Sequence, residues 1–255
     1  MQRIFLFHFR KIITLLIKTK GIIFRSIKYS ETSIITDIFT EKKGLRTYII
    51  SGVRKKNARV SASLLQVMSL VDLVVYHRDD KDMTRIKEIK AAHIYQSLPF
   101  DITKSFVGQF MLELTRKAVR EPEENLPMFE FVYEIFQFLD ETQQSFSNLH
   151  LYYMLRLSGY LGFMPEDNFS RNYPFFDLRE GMFVAEKELH GYFLLEEQSQ
   201  LTHELLTTNL HEIHKIKMSR DTRKELLKQL IIFYRLHIEN FPDLNSHQIL
   251  EEVLE

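Results

Sequence analysis

The hydrophobic periodicity of this chain changes once, close to Pro99, and that change limits what it can fold into. From Gly21 to about Lys90, short runs rich in Ile, Val, Phe, Thr and Tyr alternate with turn signals, the pattern of half-buried strands. Five runs stand out: Ile22 to Tyr29, Ile34 to Thr40, Leu45 to Ser51, Val67 to His77 and Thr84 to Lys90. A longer basic stretch follows the third. Five short strands with that one longer connection predict a small Greek-key β-barrel of the OB type, although a small open sandwich gives nearly the same pattern.

Beyond Pro99 the spacing is helical. Phe106, Val107, Phe110, Met111, Leu114 and Ala118 recur every three or four residues, and Phe129, Val132, Tyr133 and Phe136 repeat this after the break from Pro122 to Pro127. A third helix is expected from Phe146 to Leu161, stopped by the glycines of Gly159-Tyr160-Leu161-Gly162. Phe175 to Val184 reads as an isolated hairpin about Glu180-Gly181. Further helices are expected over Ser199 to Thr208, Leu210 to Lys217, Arg220 to Glu239 and Ser246 to Leu254, the long one capped by Ser219. The fold class is thus α+β and multidomain: an extension over residues 1–17, a five-stranded barrel over 18–95, and a mostly helical domain over 96–255 with the hairpin near 175–184.

Charge follows the same division. Residues 1–95 hold 19 Lys and Arg against 8 Asp and Glu, leaving 15 against 26 for residues 96–255, so the overall neutrality hides a basic and an acidic part. A basic β domain suggests an anionic partner; a solvated basic surface is the plain alternative. The sharpest feature is Gly52-Val53-Arg54-Lys55-Lys56-Asn57-Ala58-Arg59, directly after the third run. Such charges need water or an anion, and a flexible cationic rim beside a barrel can track phosphates. Lys42, Lys43 and Arg46 lie near the preceding turn, and Lys18, Lys20, Arg25 and Lys28 flank the first run, so closure of the barrel is expected to gather the cations on one face. Phe24, Tyr29, Phe39 and Tyr48 are the aromatic candidates for stacking on bases, with core packing the stronger expectation for the two phenylalanines.

Several chemistries are excluded or unsupported. With no cysteine there are no disulfides, thiol nucleophiles or cysteine-ligated metals, as suits a reducing cytoplasm. His203-Glu204-Leu205-Leu206 begins like a metalloprotease helix, but position 207 is Thr where the second ligand belongs, so the histidines are expected to be solvated. No phosphate-binding Gly-rich loop, nucleophile elbow or dinucleotide fingerprint is present, and acidic pairs such as Glu123-Glu124 point apart on a helix. The expectation is a non-enzyme without cofactor or metal. Residues 1–17 are too short and too charged to span a bilayer, so no membrane association is expected.

Two segments carry a family resemblance. The run from Lys18-Thr19-Lys20-Gly21-Ile22-Ile23-Phe24-Arg25 through Tyr29-Ser30-Glu31-Thr32-Ser33, with Thr40-Glu41-Lys42-Lys43-Gly44 and Gly52-Val53-Arg54-Lys55, and the segment Leu155-Arg156-Leu157-Ser158-Gly159-Tyr160-Leu161-Gly162-Phe163-Met164-Pro165, resemble the RecO family of bacterial recombination mediators. The resemblance implies an OB-fold followed by a helical domain, binding of single- and double-stranded DNA without sequence specificity, annealing of complementary strands, and action on DNA coated by single-strand binding protein during recombinational repair. It implies RecR, the acidic tail of single-strand binding protein and often RecF as partners, in the cytoplasm at the nucleoid. By matched position it gives Lys20, Arg25, Lys28, Arg54 and Lys55 a DNA-contact role, to which charge and proximity add Lys42, Lys43, Arg46, Lys56 and Arg59. Arg116, Lys117 and Arg120, beside an apolar helix face, are candidates for the acidic tail, although a basic helix end complementing its dipole explains them equally. Many members carry a four-cysteine zinc module where this chain has the cysteine-free stretch Pro165 to His190, so packing of Phe175, Phe176 and Phe183 is expected to replace the metal. Two rival readings stay open: an RNA-binding OB module of ribosome assembly or translation, and a metal-dependent nuclease whose carboxylates converge only in the fold.

Overall fold

The computed structural model describes residues 15–53, 60–78, 81–119, 123–187 and 189–254. It divides between Ala92 and His93 into two compact units. In the first, β1 (Leu15–Lys28), β2 (Ile34–Thr40), β3 (Gly44–Ile50), β4 (Leu70–His77) and β5 (Met83–Ala91) close into a barrel in the order β1-β2-β3-β5-β4. Neighbours are antiparallel except β3 and β5, which meet in parallel over Thr47↔Met83 to Ile49↔Arg85. This is the OB-type closure, and it rules out the open sandwich.

The first strand, at 14 residues, is much longer than its sequence run from Ile22 to Tyr29. Leu15 to Ile22 pairs with β4, and Gly21 to Lys28 pairs with β2, so β1 serves both neighbours in turn. Residues 15–17, assigned above to an extension, are strand; residues 1–14 lie outside the described residues. The handover falls at Gly21, partnered by both Thr40 and Val71. A Cβ there would sit 2.6 Å from Ile38 Cγ2 and 2.8 Å from Leu73 Cδ1, so only glycine lets the strand pass so close to the core. β4 begins at Leu70 instead of Val67, because Met68 adopts a φ of 74° that breaks the extended run. Alternation then fills the barrel with Ile23, Ile38, Tyr48, Ile50, Val71, Leu73, Val75 and Ile86, and Leu65, on a 3-10 turn over Ala62–Leu65, joins them.

The second unit contains α1 (Ile102–Ala118), α2 (Leu126–Glu141), α3 (Leu149–Tyr160), the hairpin β6 (Phe175–Asp177) and β7 (Met182–Val184), α4 (Glu196–Thr207), α5 (Arg220–His237) and α6 (Ser246–Val253). Side-chain oxygens of Asp101, Asn125 and Ser219 accept from the N–H of Lys104, Met128 and Thr222, satisfying donors that helix starts leave orphaned. The stretch expected as a helix over Leu210 to Lys217 is instead a 3-10 turn, Leu210–Lys215. α3 starts at Leu149, three residues later than its hydrophobic run, and the preceding Asn148 is turned inward, donating to the Ile216 carbonyl at 2.9 Å and accepting from Arg223 Nε at 3.0 Å.

Two carboxylates tie this unit together. Asp140, buried at the end of α2, accepts the N–H groups of Gln96, Ser97 and Leu98 at 2.8–3.0 Å and lies 3.2 Å from His93 Nε2. Burial alone would raise its pKa, but these donors outweigh it and hold the carboxyl at about 2. Lys104 Nζ completes the knot, donating to the carbonyls of Asp140 and Thr142. Glu113 on α1 likewise accepts from the N–H groups of Asn245 and Ser246 at the start of α6 and pairs with Lys117 at 2.7 Å. Against the opposing effect of burial, these partners bring it to about 2.

The hairpin is braced by apolar packing. Phe176 and Phe183 are buried with ring centroids 5.0 Å apart, and Phe176 lies 5.9 Å from Phe233 of α5. Phe175 departs from the expected trio: it is half-buried, with Lys187 Nζ 4.4 Å from its ring. His203 is not a freely solvated side chain either. It stacks on Phe169 with centroids 4.8 Å apart and bonds Asp167 at 2.5 Å.

Candidate nucleic-acid interface

Thr19, Gly21 and Ile23 point into the barrel, so the alternation of β1 sends Lys18 and Lys20 outward. On β4, Val71, Leu73 and Val75 point inward, leaving Asp72, Val74 and Tyr76 outside. A register shift in β5 near Ile86 brings Glu88 opposite Val74 and Lys90 opposite Asp72. Two rows therefore cross the β1–β4–β5 face: Lys20, Asp72, Lys90, and beside it Lys18, Val74, Glu88. Both rows contribute to the lining of a groove of about 890 Å³, where Lys18, Lys20, Lys87 and Lys90 stand together with Glu41, Asp72 and Glu88. Val60, Leu73, Val74 and Ile89 add apolar groups to the lining.

The structure distributes the sequence-derived cations unevenly. Lys20 lines the groove. Lys42 and Lys43 lie in the turn between β2 and β3, which is tied to β1 because the Glu41 N–H donates to the Lys20 carbonyl at 3.1 Å and the Lys42 N–H to Thr19 Oγ1 at 3.2 Å. Arg46 is half-buried and donates from Nε to the Lys43 carbonyl. Arg25 lies beyond the groove and faces Asp37 at 3.8 Å. Lys28 sits at the far end of β1, roughly 25 Å of strand from Lys20. Arg54, Lys55, Lys56 and Arg59 fall outside the described residues, but Val60, which follows them, lines the groove. The single continuous cationic face expected from sequence is thus not what the described residues show. Lys18, Lys20, Lys87 and Lys90 share one groove with carboxylates interleaved, and Arg25 and Lys28 are not among its lining.

Lys87 and Lys90 were not singled out from sequence. They join Lys18 and Lys20 only because β4 lies between β1 and β5, a long-range pairing no local pattern reveals. The alternation within Thr84-Arg85-Ile86-Lys87 could have marked Lys87, but the register shift that follows takes Lys90 out of that pattern. Of the aromatic candidates, Phe24 and Phe39 are buried with centroids 5.5 Å apart, and Tyr48 is enclosed in the core, where burial pushes its phenol up to about 12. Tyr29 stays exposed in the turn after β1, and Tyr76, also exposed, lies on the outer face of β4 opposite Leu16.

In the helical unit, Lys117 is committed to Glu113 and to the Asp243 carbonyl; Arg116 is half-buried, and Arg120 lies outside the described residues. A second groove of about 440 Å³, lined by Glu134, Glu141, Phe138, Leu210 and His211, has the wrong sign for a polyanion. Among the described residues no group of three His, Cys, Asp or Glu side chains is placed to hold a metal ion, and no helix is long and apolar enough to cross a membrane.

Comparison with known proteins gives a consistent picture along the chain. Residues 14–95 match the family described as Recombination protein O N terminal, and residues 99–246 match Recombination protein O C terminal. The DNA repair protein RecO of Phocaeicola vulgatus is 35% identical over 236 residues, covering 92% of this chain and 98% of that protein. Its counterpart in Christiangramia forsetii is 35% identical over 240 residues, covering 94% and 99%, and that of Bacteroides fragilis 31% over 239 residues, covering 93% and 99%.

Proposed function

Because the chain belongs to the RecO family of DNA repair proteins, with a role in DNA repair and recombination, we propose that it acts as a recombination mediator that binds DNA without sequence specificity, anneals complementary single strands and helps displace single-strand binding protein. The observation that carries the binding step is the groove on the closed barrel, where four lysines line one channel. Lysine ammonium groups recognise phosphate as point charges and read no bases, which suits binding to any sequence. Annealing is opposed by repulsion between two phosphate backbones. Cations that neutralise both lower that barrier, and no nucleotide hydrolysis or bound metal is required.

In this reading Lys18, Lys20, Lys87 and Lys90 make the contacts within the groove, Lys42 and Lys43 extend them along the adjoining turn, and the loop of Arg54, Lys55, Lys56 and Arg59 adds to the rim. Arg25 and Lys28 contact DNA only where a strand continues past the groove. The helical unit takes the acidic tail of single-strand binding protein, drawing on Arg116 and its helix end, and RecR, with RecF, receives the product for recombinase loading.

The test is binding and annealing by the full chain. Each phosphate-bound lysine contributes about −0.7 to the log–log salt slope for single strands, so four give roughly −3. Replacing Lys18 and Lys20 by Ala should halve that slope and weaken binding roughly tenfold near physiological salt, with annealing slowed in parallel. Replacing Arg54, Lys55 and Lys56 by Ala should flatten the slope further. Unchanged slope and affinity in the Lys18/Lys20 variant would remove the groove from the mechanism, and a preference for RNA over DNA oligomers in competition would redirect the function.

A further inference from the structure

The barrel domain is poor in carboxylates, yet three of the eight before residue 96, Glu41, Asp72 and Glu88, line the groove. A surface selected only to hold a polyanion tightly would place them elsewhere. Glu88 pairs at 3.7 Å with Lys87, its neighbour in sequence, and Glu41 belongs to the turn. Asp72 differs from both. Its cross-strand partners are lysines on each side, Lys20 on β1 and Lys90 on β5, and its Oδ2 lies 3.3 Å from Lys90 Nζ.

We propose that Asp72 sets the affinity of this groove by standing, between Lys20 and Lys90, where a backbone phosphate would otherwise sit. The inference rests on the groove as the nucleic-acid site. A phosphate approaching Lys90 must take it from a carboxylate already in contact, and then remain a few ångströms from a fixed negative charge. The lysines still attract the strand from a distance, since the groove stays net positive, but each seated phosphate is held less firmly. The ligand class is a single-stranded polyanion, and the effect falls on release more than on capture. That serves an annealing factor, whose bound strand must be surrendered to a duplex.

The experiment uses the full chain with Asp72→Asn, a near-isosteric change that removes the charge, and a fluorescein-labelled oligothymidylate followed by anisotropy and stopped flow. One unit charge at this range and an effective dielectric near that of a wet surface is worth roughly threefold to tenfold in affinity. The expected result is tighter binding by that factor, dissociation slowed to match, and association little changed. Unchanged or weaker binding with an unaltered melting temperature overturns the proposal. Should Asp72→Asn lower the melting temperature, a cycle with Lys90→Gln decides: a gain that vanishes without Lys90 supports the competition, and an equal gain in both backgrounds overturns it. If Lys18→Ala with Lys20→Ala weakens binding while Asp72→Asn fails to tighten it, the groove stands and this inference alone falls. If the double replacement has no effect, the groove reading itself is wrong.

Discussion

Replacing Asp140 by Asn should destabilise the helical unit by an amount that depends on pH in a defined direction. In the folded chain the carboxylate is lowered from an ordinary value of 3.8 to about 2 by the N–H groups of Gln96, Ser97 and Leu98 and by His93, against the opposing effect of burial. A depressed acid stabilises the fold above its unfolded value and loses that contribution as pH falls through the folded value. Nearly two pKa units correspond to about 2 kcal/mol, present in full near neutrality and fading between about pH 4 and pH 2. The Asn amide also turns donors toward donors, so the total loss near neutral pH should be about 2 to 4 kcal/mol, or roughly 5–10 °C in melting temperature for a unit of this size. Thermal unfolding by circular dichroism, wild type against variant across acidic pH, reads it directly. Glu113 titrates in the same window and contributes to both proteins, so the informative quantity is their difference. That difference should shrink as pH approaches 2. A variant as stable as wild type at pH 7, or a gap that stays constant from pH 5 to 2, would refute the role assigned to the ionised carboxylate.

Three further outcomes follow from the same geometry. Tyr76→Ala should weaken binding to a single-stranded oligomer by about 1–3 kcal/mol while leaving duplex binding unchanged, with Tyr76→Phe retaining the affinity, as fluorescence titration will show. Gly21→Val should push into Ile38 and Leu73 at the handover of β1 and cost at least 1–3 kcal/mol in a urea titration; wild-type stability would mean that the close approach is not real. Ser219→Ala should cost about 1 kcal/mol through loss of the bond from the Thr222 N–H, measured by the same titration.

How much of this was legible in the sequence depended on whether the signal was local. The five strands and the order of the helices could be read because alternation and three-and-four spacing are properties of neighbouring residues; the hairpin at Phe175–Val184 and the Ser219 cap were placed for that reason. The first half of β1 was not placed, because the run was started at Ile22 and residues 1–17 were set apart as an extension, whereas Lys18 and Lys20 at alternate positions are the outer face of the same strand. The candidate groove was read least well. Its members come from β1, β4 and β5, and the strand order that unites them is set by barrel closure, whereas the sequence drew attention to the densest local charge. Lys117 shows the opposite error: its charge looked available but is used internally, by a Glu113 that also binds backbone more than a hundred residues away.

The double duty of β1 has a practical consequence for anyone dissecting this protein. The seam that seals the barrel and two of the lysines proposed to contact DNA lie on one continuous fourteen-residue ribbon. Any lesion that loosens the seam will also misalign the lysines, and so will imitate a direct loss of contact. Binding defects mapped to this ribbon acquire meaning only when the same preparation is shown to melt at its normal temperature.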